Sequence, residues 1–156
     1  YMWQVADLIR ANKFDMDSIN RTVIAHYDQP EEVKKEIAQW YEELIEMMRS
    51  EGVMEKGHIQ LNKNVIITLT DLQMVYSAAY YKTLPYIVQL RAKSGGEDLP
   101  ELETCFAAVY GYLLLRMQGK EVSAETLEGI KQISSFLALL AEKYREDMKG
   151  ELKLED

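Results

Sequence analysis

Tyrosines and a few cations are the residues of this chain with the clearest capacity for chemistry. Seven of them fall on two predicted helices and form a candidate ligand site: Tyr76, Tyr80, Tyr81, Arg91, Tyr110, Tyr112 and Arg116. Phenol hydroxyls donate and accept hydrogen bonds, and guanidinium groups bind carboxylates and phosphates. If the two helices face each other, these groups line a pocket for a small anionic ligand. The alternative, which we favour, is that the rings fill the edge of the core with their hydroxyls in water.

Patterns typical of catalysis or metal binding are sparse. The two histidines, His26 and His58, exclude a three-histidine zinc site from this chain alone. Glu55 and His58 match one E-x-x-H motif of a di-iron bundle, but such a site needs a second motif and two further carboxylates. Cys105 lies in an apolar run without a neighbouring histidine, so we interpret it as a buried, reduced thiol. We therefore predict no catalytic residue, cofactor or metal, and we disfavour an enzyme.

The composition is that of a globular protein. The chain has 156 residues, a formal net charge of -8 and one cysteine. An acidic surface repels phosphate backbones, so nucleic-acid binding is disfavoured. The exception is segment 58–96, where four cations outnumber one acid, giving a weaker nucleic-acid alternative through Lys63, Lys82, Arg91 and Lys93. The longest uncharged run is too short to span a bilayer, and a lone cysteine favours the cytoplasm.

Helical signals recur along the chain. The pattern D-x-P-E at 28–31 and 98–101 and a serine at 123 predict helix starts. Apolar residues at three- and four-residue steps predict amphipathic helices in 30–50 and 127–148. Residues 65–70 are β-branched enough for a strand, but an isolated strand is untenable, so we predict a helix over 59–76 and another to Lys93. Pro85 is expected to kink or split the latter.

The run 105–115 contains no charged residue, although the whole chain is strongly acidic. A helix that is apolar on nearly every side must be surrounded by other elements. Its small residues Ala107, Ala108 and Gly111 would let a neighbouring helix come close. We therefore predict an all-α, single-domain helical bundle over 1–156, with about six helices around a central apolar helix at 102–117.

Several strings along the chain resemble an uncharacterised, all-helical family of Bacteroidetes bacteria: Tyr1–Gln4, Asp7–Arg10, His58–Asn64, Ser77–Lys82 and Leu90–Ser94. The resemblance covers most of the chain and implies a bacterial, cytoplasmic, helical protein. It also implies that a short N-terminal stretch is missing, which agrees with a first residue that is Tyr. As a domain of unknown function, the family supplies no catalytic residues.

These observations favour a non-enzymatic scaffold or protein-interaction domain, with a homodimer as one expectation. The missing catalytic motifs and the apolar surplus of the last two long helices carry this hypothesis. The alternative is a small-molecule binder that uses the tyrosine-rich pocket with Arg116 and Arg91.

Overall fold

The computed structural model describes residues 1–93 and 99–151, and its architecture is all-α, as predicted. Within these residues there are seven α-helices and one 3-10 turn. The helices are α1 (Met2–Ala11), α2 (Met16–Thr22), α3 (Glu31–Ser50), α4 (Gln60–Val75), α5 (Ser77–Lys93), α6 (Glu101–Met117) and α7 (Ala124–Met148), and the 3-10 turn is Ile24–His26. None of these helices is long and apolar enough to cross a membrane, for the residues that are described.

The segment that looked most like a strand forms a helix. Residues 65–70 lie inside α4, as their helical spacing predicts. The helical segment is interrupted at Tyr76, between α4 and α5, rather than at Pro85. Pro85 is exposed inside α5 and does not split it. At the start of α7, the predicted serine cap is confirmed, because the Ser123 hydroxyl accepts from the Thr126 amide at 3.3 Å.

By its internal contacts the chain divides into two compact units, Tyr1–Lys63 and Asn64–Asp156, with α4 beginning in the first and continuing into the second. The core of the first unit is built from α1, α2, α3 and the 3-10 turn, with Val5, Ile9, Ile19 and Tyr41 nearly fully buried.

Arg10 fastens the loop after α3 to α1 in this first unit. Its guanidinium donates to the carbonyl oxygens of Val53 at 2.9 Å, Met54 at 3.1 Å and Gly57 at 2.7 Å. Loop carbonyls that would otherwise need water are satisfied by one side chain. These hydrogen bonds could not be predicted from the sequence, because they join residues more than forty positions apart.

In the second unit, α5, α6 and α7 pack pairwise against one another. Their apolar faces enclose a core whose buried side chains include Leu102, Cys105, Ile133, Phe136 and Leu140. The helices α5 and α7 come close at Gly129, where an added Cβ would lie 3.3 Å from the Tyr86 ring. A larger residue at 129 would therefore push against the ring.

The expectation that other elements surround α6 along its whole length is wrong. Leu102, Thr104 and Cys105 near its start are buried, but Leu113, Leu114 and Leu115 near its end are 42%, 37% and 37% exposed. Burial falls along α6: the residues of its first turns are buried or half-buried, whereas Leu113 to Met117 at its end are exposed. An uncharged composition requires apolar neighbours without specifying that they belong to the same chain.

Candidate functional site

The structure separates the seven predicted ligand residues instead of gathering them in one pocket. Tyr80 and Arg91 lie near the start of α6, and Tyr76 lies against Lys143 of α7. Tyr112 and Arg116 line a groove near the end of α6. Tyr81 is two-thirds exposed. Tyr110 lies two residues from Tyr112 and therefore projects from a different side of α6.

Tyr80 and Arg91 belong to a polar network among protein groups. The Glu101 carboxylate accepts from the Gln73 amide nitrogen at 3.3 Å and from the Tyr80 hydroxyl. Burial and this negatively charged partner raise the pKa of Tyr80. The Arg91 guanidinium donates to the Leu99 carbonyl, joining the end of α5 to the segment that enters α6. These bonds hold three helices together, so we interpret the network as structural.

Tyr76 also has a structural environment. It is 5% exposed, and the Lys143 ammonium lies 5.4 Å from the centroid of its ring, within range of a cation–π interaction. The same ammonium is 3.1 Å from the Glu146 carboxylate. Tyr76 is therefore packed between α4 and α7 inside the second unit.

Cys105 is completely buried beside this network. Loss of hydration raises the pKa of its thiol from 9.0 to about 12, and the nearby Glu101 carboxylate adds to the rise, while Arg91 opposes it. A thiol with such a pKa stays protonated at neutral pH and is a poor nucleophile. This environment agrees with the interpretation of Cys105 as a packing residue.

The raised thiol pKa predicts a loss of stability at alkaline pH. Above pH 9 the unfolded chain releases the Cys105 proton while the folded chain keeps it up to about pH 12, so the free energy of unfolding falls as pH rises. Between pH 9 and 10 the wild type should lose about 1 kcal/mol more than Cys105→Ala, as measured by urea unfolding. Equal losses in the two proteins would show that the thiol is not buried in this way.

A groove lies between α6 and α7 in the second unit. Its volume is about 600 Å³ and it opens to solvent. One strip of α6 lines it with residues three and four apart, and one strip of α7 faces that strip: Val109, Tyr112, Leu113 and Arg116 from α6, and Ile130, Lys131, Ser134 and Ser135 from α7. The short connection between the two helices makes them antiparallel neighbours, so both strips lie near that connection.

The groove brings two cations together. Arg116 was predicted from the sequence, but Lys131 and Ser134 were missed. The signal was present, since both interrupt the apolar pattern of α7 one turn apart on the same side of the helix. Over residues 1–93 and 99–151, neither Arg116 nor Lys131 is within salt-bridge distance of an acidic side chain. The same residues hold no group of three His, Cys, Asp or Glu that could bind a metal ion.

The opposite side of α6 carries an apolar strip, which we name the outward face: Ala107, Gly111, Leu114 and Leu115. At about 100° per residue these four positions fall within roughly one third of the helix circumference, opposite the buried Leu102 and Cys105. A Cβ added at Gly111 would meet no atom within 4 Å. The outward face is therefore smooth, uncharged and open at its centre.

No curated protein and no solved structure shows significant similarity to this chain. One family model covers residues 1–151, and its description is a domain of unknown function, DUF4924. The match spans nearly all of the sequence, so the chain belongs to the DUF4924 family.

Proposed function

We propose that this chain is a non-enzymatic interaction domain that forms a homodimer through the outward face of α6. The observation that carries the proposal is the exposed, uncharged end of the outward face, next to the half-buried Ala107 and Gly111. Leu114 and Leu115 are each 37% exposed, and the flanking Met117 is 68% exposed. Contiguous apolar surface on a protein of net charge -8 is typical of an interaction site.

Gly111 adds an independent argument for a partner helix. A glycine inside a helix destabilises it by about 0.5–1 kcal/mol relative to alanine. Apart from the adjoining backbone of α6 itself, no atom of residues 1–93 and 99–151 lies within 4 Å of the place where an alanine Cβ would stand, so packing among these residues does not explain the glycine. A second helix crossing at Gly111 does explain it, because the missing side chain lets two backbones approach closely.

The charge pattern of α6 favours a second copy as that partner. The helix carries Glu103 in its first turn and is followed by Lys120, with no charge on its outward face between them. Two antiparallel copies that cross at Gly111 would bring Lys120 of each copy near the acidic start of the other. Such a contact is self-complementary, as a two-fold symmetric interface requires.

We further propose that the protein is cytoplasmic and bacterial, from the buried thiol and from the family resemblance of its sequence. A single, buried, reduced Cys105 suits a reducing compartment, which supports the cytoplasm. The quoted strings support a bacterial protein of the Bacteroidetes. Nucleic acid and membrane remain disfavoured partners, because the chain is acidic.

Replacing Gly111 with alanine tests the proposal with two measurements. The added Cβ meets open space within the chain, so the folded monomer should gain about 0.5–1 kcal/mol in urea unfolding at high dilution. The same Cβ lies at the proposed crossing point, so the dimer dissociation constant from sedimentation should rise about tenfold.

The substitution should therefore stabilise the folded monomer and weaken the dimer. A stabilised monomer with unchanged self-association would show that nothing approaches Gly111, and it would overturn the proposal.

A further inference from the structure

We propose that the groove between α6 and α7 binds a small organic anion, in which a carboxylate or phosphate head is joined to an apolar body. Arg116 of α6 and Lys131 of α7 both line the groove. Tyr112 and Ser134 add hydroxyls, and Val109 and Ile130 add apolar walls. This set of groups would neutralise the head, orient it by hydrogen bonds and cover its body.

The two cations are available to a ligand. Some basic side chains are neutralised by acidic partners, for example Arg10 by Asp7 at 3.3 Å and Lys143 by Glu146 at 3.1 Å. Among the described residues, Arg116 and Lys131 have no such partner. Two unneutralised cations that line one groove attract an anion.

The hydroxyls of the groove differ in whether they are free to donate a hydrogen bond to a ligand. The Ser135 hydroxyl donates to the Lys131 carbonyl at 3.0 Å and is therefore occupied by its own helix. Within the described residues, the hydroxyls of Ser134 and Tyr112 make no hydrogen bond to protein. Both can donate to a carboxylate or phosphate oxygen held by the cations.

The apolar part of the groove selects against a bare inorganic ion. Ile130 is 6% exposed, and Val109 is half-buried beside it. A volume of about 600 Å³ lies within the range of small-molecule sites and exceeds what a phosphate ion alone would fill. The preferred ligand is therefore an amphipathic anion with a chain or ring of several carbons.

This site is independent of the proposed dimer. The groove faces α7, whereas Gly111 and Leu114 point to the other side of α6. A variant that loses self-association through Leu114 should still bind the anion, so failure of one proposal is distinguishable from failure of the other.

Calorimetric titration of the full chain with octanoate, and with octanamide as its uncharged counterpart, tests the site. Octanoate should bind with a dissociation constant below about 1 mM, and octanamide at least about tenfold more weakly. Arg116→Gln and Lys131→Gln should each weaken octanoate binding about tenfold. Lys82→Gln, which removes an exposed cation of α5 that does not line the groove, is the matched control and should change binding less than about twofold.

Amide chemical shifts should locate the ligand, with octanoate moving the signals of Lys131 and Ser134. Co-sedimentation with phosphatidylglycerol vesicles that is abolished by Arg116→Gln would identify a lipid headgroup as the source of the anion. If the chain binds octanoate but does not co-sediment with the vesicles, the source is a free metabolite. Equal affinity for octanoate and octanamide, equal effects of Arg116→Gln and Lys82→Gln, or no octanoate binding would overturn the proposal.

Discussion

Leu114→Glu is expected to raise the dissociation constant of the homodimer by at least about 100-fold. The change would remove a leucine from the outward face in both copies, at about 1.5 kcal/mol or more for each side chain that dimerisation buries. It would also place two carboxylates in an apolar contact, where neither has a cation opposite. Sedimentation velocity over a dilution series measures the dissociation constant directly.

Leu61→Glu is the matched control. Leu61 is 59% exposed on α4, so the same substitution changes charge and surface apolarity equally but on a different helix. We expect it to leave the dissociation constant within about threefold of the wild type. Loss of association in Leu61→Glu but not in Leu114→Glu would place the interface on α4 and contradict the assignment to α6.

Both substitutions should leave the monomer folded. Exposed positions away from caps and cores change the free energy of unfolding by about 0.5 kcal/mol. A large loss of stability in Leu114→Glu, with unchanged association, would mean that Leu114 is buried within its own chain.

The largest expected effect on stability is that of Phe136→Ala. Phe136 is 2% exposed in α7, and its ring centroid lies 6.4 Å from that of Tyr80. Removal of the ring leaves a cavity where α5, α6 and α7 meet, which should cost about 3–5 kcal/mol. Phe136→Leu keeps most of the volume and should cost less than about 1.5 kcal/mol.

Cys105 gives a local measurement of this effect. It is the only cysteine, and its buried cluster adjoins that of Phe136, because Tyr80 and Leu137 pack against both. A thiol reagent should therefore label it only when the second unit opens, and Phe136→Ala should accelerate labelling on the order of 100-fold. Labelling at the wild-type rate, together with a stability loss below about 1 kcal/mol, would show that Phe136 does not hold this core together.

Helix type and position were largely predictable from sequence in this chain. The apolar steps of α3 and α7 are long and regular, and regular spacing decides the structure because it aligns side chains on one face. The same spacing correctly predicted a helix through the β-branched residues 65–70. Pro85 was harder to interpret, because at an exposed position a helix can tolerate one missing hydrogen bond.

The burial of side chains and their grouping in space were harder to predict from the sequence. The uncharged run of α6 predicted apolar neighbours, yet Leu113 to Leu115 are left exposed by the helices of the same chain. Sequence placed Tyr76 and Arg116 in one candidate site, but the packing of α5 against α6 and α7 separates them. It also missed Lys131, whose role depends on which helix faces Arg116 across the groove.

The most direct test of the central claim, dimerisation through the outward face of α6, is sedimentation equilibrium of the unmodified chain beside Leu114→Glu. If the outward face forms the dimer, the measured mass of the wild type approaches twice its 18.1 kDa chain mass at about 100 μM and falls toward 18.1 kDa on dilution, while that of Leu114→Glu stays at 18.1 kDa. A wild-type mass of 18.1 kDa at every concentration would contradict dimerisation through α6, as would a dimer that Leu114→Glu leaves intact.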